Sequence, residues 1–244
     1  NGIARLTLNQ PDKLNAMSYD MWLALAASVE RAEADPAIRV MSLIGEGTKA
    51  FCAGASFDEL VSISNLEEGK RFFSGFAAVI NAMRNAPKFV IARVQGKAVG
   101  GGVGLASAAD YTLATVHSAV KLSELAVGIG PFVVGPAVER KVGKSAFQQL
   151  AINATEWQSA EWAHQKGLFA EIHPSTEALD QAVMHLANRL ASSNPEAMRL
   201  LKKASWEGTD HWDTLLLERA EMSGTLVLSD FTRNAIAKFK AGAR

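Results

Sequence analysis

An apolar extended run, Phe89 to Val94, is followed within a few residues by Gly100-Gly101-Gly102-Val103-Gly104 and a stretch of small residues reaching Ala109. A strand that feeds a small-residue helix constrains the fold more than any other feature. The next strand must then lie parallel to the first, across a right-handed crossover. A second small-residue loop, Ala53-Gly54-Ala55, follows the apolar residues Phe51-Cys52. Both loops offer backbone N–H groups with almost no side chain in the way. Brought together, two such loops can hold one oxygen atom between two amides, which is the physics of an oxyanion hole.

The first two thirds of the chain repeat the pattern of strand, strand and helix. Ile3 to Leu8 alternates as a strand, and Ser18 can cap a helix carrying Trp22, Leu25, Ala26 and Val29 on one face and ending near Asp35-Pro36. Val40 to Ile44 reads as a strand, Glu68 to Asn85 as a helix stopped by Pro87, and Tyr111 to Thr115 and Ala119 to Leu122 as strands. Helices follow over Pro136–Val142, Ser145–Ile152 and Ser159–Lys166, with one strand over Phe169 to Ile172. From about Thr176 onward the chain reads as helix after helix, with apolar stripes such as Leu179, Leu186 and Leu190, or Leu215, Leu216 and Leu217. The expected class is α/β, with a core over 1–175 and a helical region over 176–244.

With 244 residues, 48% of them hydrophobic, the chain can bury a large core. A formal net charge of +0 argues against nucleic acid, whose phosphates favour a basic face. No apolar run approaches the length of a bilayer span and no signal-peptide pattern opens the chain, so no membrane partner is expected. The single cysteine, Cys52, allows no intrachain disulfide and fits a reducing, cytoplasmic compartment. The chain opens on Asn1-Gly2 rather than Met, so further residues are expected to precede it. His117, His164, His173, His185 and His211 are scattered without metal-ligand spacing, and no metal is expected. The glycine loop imitates a dinucleotide fingerprint only loosely through Gly96, Gly100 and Gly102, and lacks the acidic residue that would follow. Gly143-Lys144-Ser145 copies the tail of a phosphate loop, but Val138 stands where its first glycine belongs.

Four segments occur in a telling order: Gln10-Pro11-Asp12-Lys13-Leu14-Asn15-Ala16-Met17, then Phe51-Cys52-Ala53-Gly54-Ala55, then Val94-Gln95-Gly96-Lys97-Ala98-Val99-Gly100-Gly101-Gly102 with Ala109-Asp110, then Leu122-Ser123-Glu124-Leu125-Ala126-Val127-Gly128. Together they resemble the enoyl-CoA hydratase/isomerase (crotonase) superfamily over nearly the whole chain. The resemblance implies a crotonase-like spiral of ββα units with a C-terminal helical region used in trimer contacts. It also implies a homotrimer, or a hexamer built as a dimer of trimers. The substrate would be an acyl-CoA thioester, with coenzyme A entering as part of the substrate and no separate cofactor.

Carried over by position, the oxyanion donors would be the N–H groups of Ala55 and Gly101, flanked by Ala53, Gly54 and Gly102. Lys13 and Leu14 would contact the CoA side, Ser56 stands where many members carry aspartate, and Phe239-Lys240 resembles a terminal segment that reaches a neighbouring subunit's CoA. Hydratases of the family use two glutamates around one water. Here the second position is Glu124, but the first is Gly104. One carboxylate can still carry a proton between C2 and C4 of an enoyl thioester, which makes double-bond isomerisation the favoured activity. Gly104 is expected to leave room for a bulkier acyl chain. Hydration, of a branched or methylglutaconyl-type substrate, is the alternative, followed by hydrolysis, decarboxylation or a non-catalytic scaffold. The dehalogenase branch also has glycine at the first position but needs an aspartate where this chain has Phe132. Asp110 is expected to close a turn.

Overall fold

The computed structural model describes residues 2–242, with side chains as far as Phe239. The chain runs through β1 (Ile3–Leu8), α1 (Tyr19–Ala34), β2 (Val40–Gly45), β3 (Ala50–Cys52), α2 (Phe57–Ser62), α3 (Leu66–Asn85), β4 (Phe89–Val94), β5 (Lys97–Val99) and α4 (Gly101–Ala108). It continues through β6 (Tyr111–Thr115), β7 (Ala119–Lys121), α5 (Gly135–Ile152), β8 (Gln158–Ser159), α6 (Ala160–Gln165) and β9 (Glu171–His173). Four helices follow, α7 (Thr176–Ala191), α8 (Pro195–Ser205), α9 (Trp212–Leu226) and α10 (Asp230–Gly242).

Two sheets form. The larger has the order β1-β2-β4-β6-β9, every neighbour parallel. The smaller has the order β3-β5-β7-β8, with β8 joining antiparallel. Each of β2, β4 and β6 is followed by one strand of the small sheet before helices carry the chain back. This is the α/β spiral of ββα turns that the sequence resemblance implies. β2 is buried along its full length because both faces of the large sheet are covered. On one face Val40, Ile91 and Leu113 pack against Leu179, Val183 and Ala187 of α7. On the other, Met41, Leu43, Val90 and Ala92 belong to the main core with Trp22, Phe76 and Ile80.

Local chemistry sets the helix ends. The Ser18 hydroxyl accepts from the Met21 N–H, and Asn65, Ser159, Ser175 and Asn194 cap their helices in the same way. Within α5, Gly143 (φ 79°, ψ 161°) breaks the helical geometry, so two helical segments meet there as the sequence pattern indicates. Two readings need correction. The last strand begins at Glu171, two residues later than expected, because the Leu168 and Phe169 N–H groups bond to the Ala163 carbonyl and Phe169 is driven into the core. The triplet Leu215, Leu216 and Leu217 is not one stripe, because consecutive residues spread around a helix. Leu216 is fully buried and Leu217 is 48% exposed.

Two ties of the C-terminal helices to the core are especially close. α9 crosses α3 glycine to glycine, so close that a β-carbon at Gly69 would lie 2.7 Å from the Gly224 carbonyl oxygen. Lys202 of α8, only 2% exposed, sets its ammonium 2.9 Å from the Asp110 carboxylate and donates to the carbonyls of Met83 and Lys88. Asp110 also accepts from the Val90 N–H and the Trp206 indole N–H. Its role is to close the α4–β6 turn onto the neighbouring strand and helix.

Candidate active site

One large cavity, about 830 Å³, opens beside the ends of the small-sheet strands. Its walls include Leu14, Ala53, Gly54, Ala55, Gly101 and Glu124. Lys13, Ser56, Gly102 and Gly104 do not line it. Ser56 instead caps α2, its hydroxyl accepting from the Glu59 N–H. Gly102 sits over β3, where a β-carbon would fall 2.3 Å from the Cys52 carbonyl oxygen.

The two small-residue loops are side by side because β3 and β5 pair in parallel, Cys52 opposite Ala98, and both chains then leave the sheet together. Gly54 has φ +87°, and a β-carbon there would lie 2.8 Å from the Val99 carbonyl oxygen and 3.5 Å from the Gly101 nitrogen. Only glycine fits that approach. The Ala53–Ala55 strand is fixed from the other side. Ala53 N–H donates to Leu14 O, Met17 N–H to Gly54 O and Ser56 N–H to Met17 O. Below it, the buried Asn15 amide donates to the carbonyls of Glu46, Ala50 and Phe51. Among the described residues, the N–H groups of Ala55 and Gly101 donate to no protein acceptor. Gly101 opens the fully buried helix α4, whose first-turn amides and dipole add positive potential.

Glu124 follows β7 and leads into a tight 3-10 turn, Leu125–Val127, closed by Gly128 at φ 80°. The Gly100 N–H donates to Lys121 O, which draws this segment against the glycine loop. A β-carbon at Gly100 would lie 3.0 Å from Glu124 Oε1. Glu124 Oε2 is shielded from solvent and has no hydrogen-bond partner among the described residues. Burial raises the carboxyl pKa from 4.5 to about 7, opposed only by the residue's own N–H. Among the described residues Glu124 is the one carboxylate lining the cavity. The cavity walls are largely apolar, with Phe76, Ile129, Phe132 and Val134 among them. A half-buried carboxylate with one oxygen shielded and unpartnered, poised near neutrality, suits proton transfer on a bound substrate.

Gly104 leaves no free space. A β-carbon there would lie 2.5 Å from Val134 Cγ1 and 2.8 Å from its Cβ, so valine occupies the room expected for acyl chain. Cys52, behind the first loop, is buried with its thiol pKa pushed up to about 12, and is inert. Among the described residues no three His, Cys, Asp or Glu side chains gather where a metal ion could sit.

Two wall residues stand where the sequence reading does not put them: Phe239, expected to reach a neighbouring subunit, and Trp157, which carries no motif. Phe239 of α10 packs edge-on to Phe57 of α2 with ring centroids 4.8 Å apart, and lines the cavity of its own chain. The Lys240 side chain lies outside the described residues. Trp157 reaches the wall from just before β8. Only the topology could place these three segments together.

Comparison with known proteins agrees with this architecture. The enoyl-CoA hydratase/isomerase family model matches residues 1–232. A crotonyl-CoA hydratase of Syntrophomonas wolfei is 31% identical, over 84% of this chain and 78% of its own. A short-chain-enoyl-CoA hydratase of Clostridium acetobutylicum is 29% identical, over 97% of this chain and 90% of its own. Among solved structures, an enoyl-CoA hydratase from Mycobacterium avium subsp. paratuberculosis K-10 superimposes with a TM-score of 0.87, at 26% identity, over 99% of this chain and 93% of that one. The chain belongs to the enoyl-CoA hydratase/isomerase family, and is an acyl-CoA enzyme. Among the described residues no helix is long and apolar enough to cross a membrane.

Proposed function

We propose that the enzyme shifts the double bond of an enoyl-CoA thioester, with Glu124 as the single proton carrier. The thioester oxygen lies between the N–H groups of Ala55 and Gly101. Glu124, as carboxylate, takes a proton from C2 of a 3-enoyl thioester. The electron pair spreads over C2, C4 and the thioester oxygen, and the two amides stabilise the charge on that oxygen. The same carboxyl group then returns the proton at C4, giving the 2-enoyl product. No atom is gained or lost, so no water and no second acid are needed.

The observation that carries this reading is the asymmetry of the site. Among the described residues Glu124 stands alone among carboxylates at the cavity wall, and Val134 fills the space beside Gly104 where a second acid would project. Hydration is the second reading, favoured by relatives that carry the name hydratase.

A product assay over 2-enoyl and 3-enoyl thioesters separates the two. The expected outcome is 2-enoyl product from a 3-enoyl substrate and little 3-hydroxyacyl product from a 2-enoyl one; fast formation of the hydroxyacyl product would establish hydration instead. Glu124→Gln should lower isomerisation by on the order of 10²–10⁴-fold, and full retained activity would remove the proton-carrier role. A scaffold would bind no acyl-CoA in a calorimeter. Assembly into trimers or hexamers, which the family resemblance implies, is open to light scattering.

A further inference from the structure

Three lysines, Lys49, Lys97 and Lys121, line the same cavity as Glu124. The small sheet arranges them. Val99 is opposite Lys121, and Lys97 lies two residues before Val99, so Lys97 and Lys121 share one face of adjacent strands. Lys49 precedes Ala50, which is opposite Lys97, and its carbonyl accepts from the Lys97 N–H. Lys97 and Lys121 converge on one indole, their Nζ atoms 4.9 and 4.5 Å from the centre of the Trp157 ring.

Neither amine forms an ion pair among the described residues. Burial, and then the neighbouring Lys97 charge, lower the pKa of the Lys121 amine, while Glu156 opposes the shift from a distance. Two cations held on one aromatic ring repel each other. An anion placed between them relieves the repulsion and meets charge-assisted donors already in position. The indole fixes both lysine stems, so less side-chain freedom remains to be lost on binding.

We propose that Lys97 and Lys121, held on Trp157, form a subsite for an anionic group of the thioester substrate, either a phosphate of its CoA portion or a carboxylate on its acyl chain. The proposal rests on the acyl-CoA reading of the cavity and adds the residues that recognise the charged end.

The test is calorimetric binding of four probes, CoA, pantetheine, butyryl-pantetheine and glutaryl-pantetheine, to the full chain and to a Lys97→Gln/Lys121→Gln variant. The expected result is about tenfold weaker binding of an anionic probe to the variant, with neutral probes changed less than about twofold. A loss for CoA but not for pantetheine assigns the phosphate. A loss confined to glutaryl-pantetheine assigns the carboxylate. A Lys97→Arg/Lys121→Arg variant should restore most of the affinity. Equal affinity of variant and wild type for all four probes, or equal weakening of all four, would overturn the subsite while leaving the acyl-CoA reading in place. Wild-type protein that binds none of the probes would overturn both.

Discussion

Glu124 carries the sharpest consequences at the scale of a single residue. A carboxyl group raised from 4.5 to about 7 is still half protonated at neutral pH. As a base it works only when ionised, so kcat/KM for isomerisation should be lost as pH falls through about 7 and level off above it. A pH–rate profile checks this, and a limb near 4.5 would mean that water reaches the carboxylate in the free enzyme. Folding stability moves the opposite way. The folded protein binds this proton more tightly than the unfolded chain, so the contribution of this one group to stability is fully present below pH 4.5 and is lost as pH rises to about 7. The ionised carboxylate therefore costs on the order of 3 kcal/mol. Glu124→Gln should melt higher than wild type at pH 8, and the gap should close toward pH 4. The identity of this residue was legible in the sequence through the motif around it. The shielding of its Oε2 was not, because the cavity walls come from residues far along the chain.

Among the elements, α4 and its neighbours decide what the site can become. Val134, at the entry to α5, presses on the helix face at Gly104. Gly104→Ala should therefore destabilise the protein by roughly 1–2 kcal/mol, since overpacking outweighs the gain in helix propensity. Thermal or urea unfolding checks this, and a more stable variant would show that Val134 yields. Gly104→Glu should lose more, and combining it with Val134→Ala should recover part of the loss. In the sequence Gly104 suggested open space, because a missing side chain does not say what fills its place. β5 also escaped sequence reading. Three residues, Lys97 to Val99, merge there with the glycine loop, and only pairing with β3 and β7 makes them a strand. The longer elements were plain, since β1, β4 and α1 have strong periodicity and a clear cap or breaker.

Across the whole molecule, parallel crossovers collect residues distant in sequence into one row of loops, and the C-terminal helices close over the result. Lys202 pins α8 to the core. Its ammonium meets Asp110 and the carbonyls of Met83 and Lys88 almost out of reach of water. Lys202→Met would remove the ion-pair partner of the largely shielded Asp110 carboxylate, and should destabilise the fold by about 3–5 kcal/mol. Denaturant unfolding measures it, and a change under about 1 kcal/mol would mean that water replaces the ammonium. No pattern in the sequence marks this lysine, because its partners lie on other elements. The fold class, by contrast, follows from the alternation of strands and helices together with four motifs in order.

The use of main-chain amides at Ala55 and Gly101 bears on how this protein tolerates change. No replacement of a side chain, short of proline, deletes either amide, so the chemistry there cannot be lost through the usual exchange of one functional group for another. It can be lost only through shape. In a saturation scan scored for activity, the intolerant positions should include Gly54 and Gly102, which bear no reactive atom and leave no space for a β-carbon beside Val99 and Cys52. Inherited variation in such an enzyme would be most damaging at residues that look, by composition, least equipped to matter.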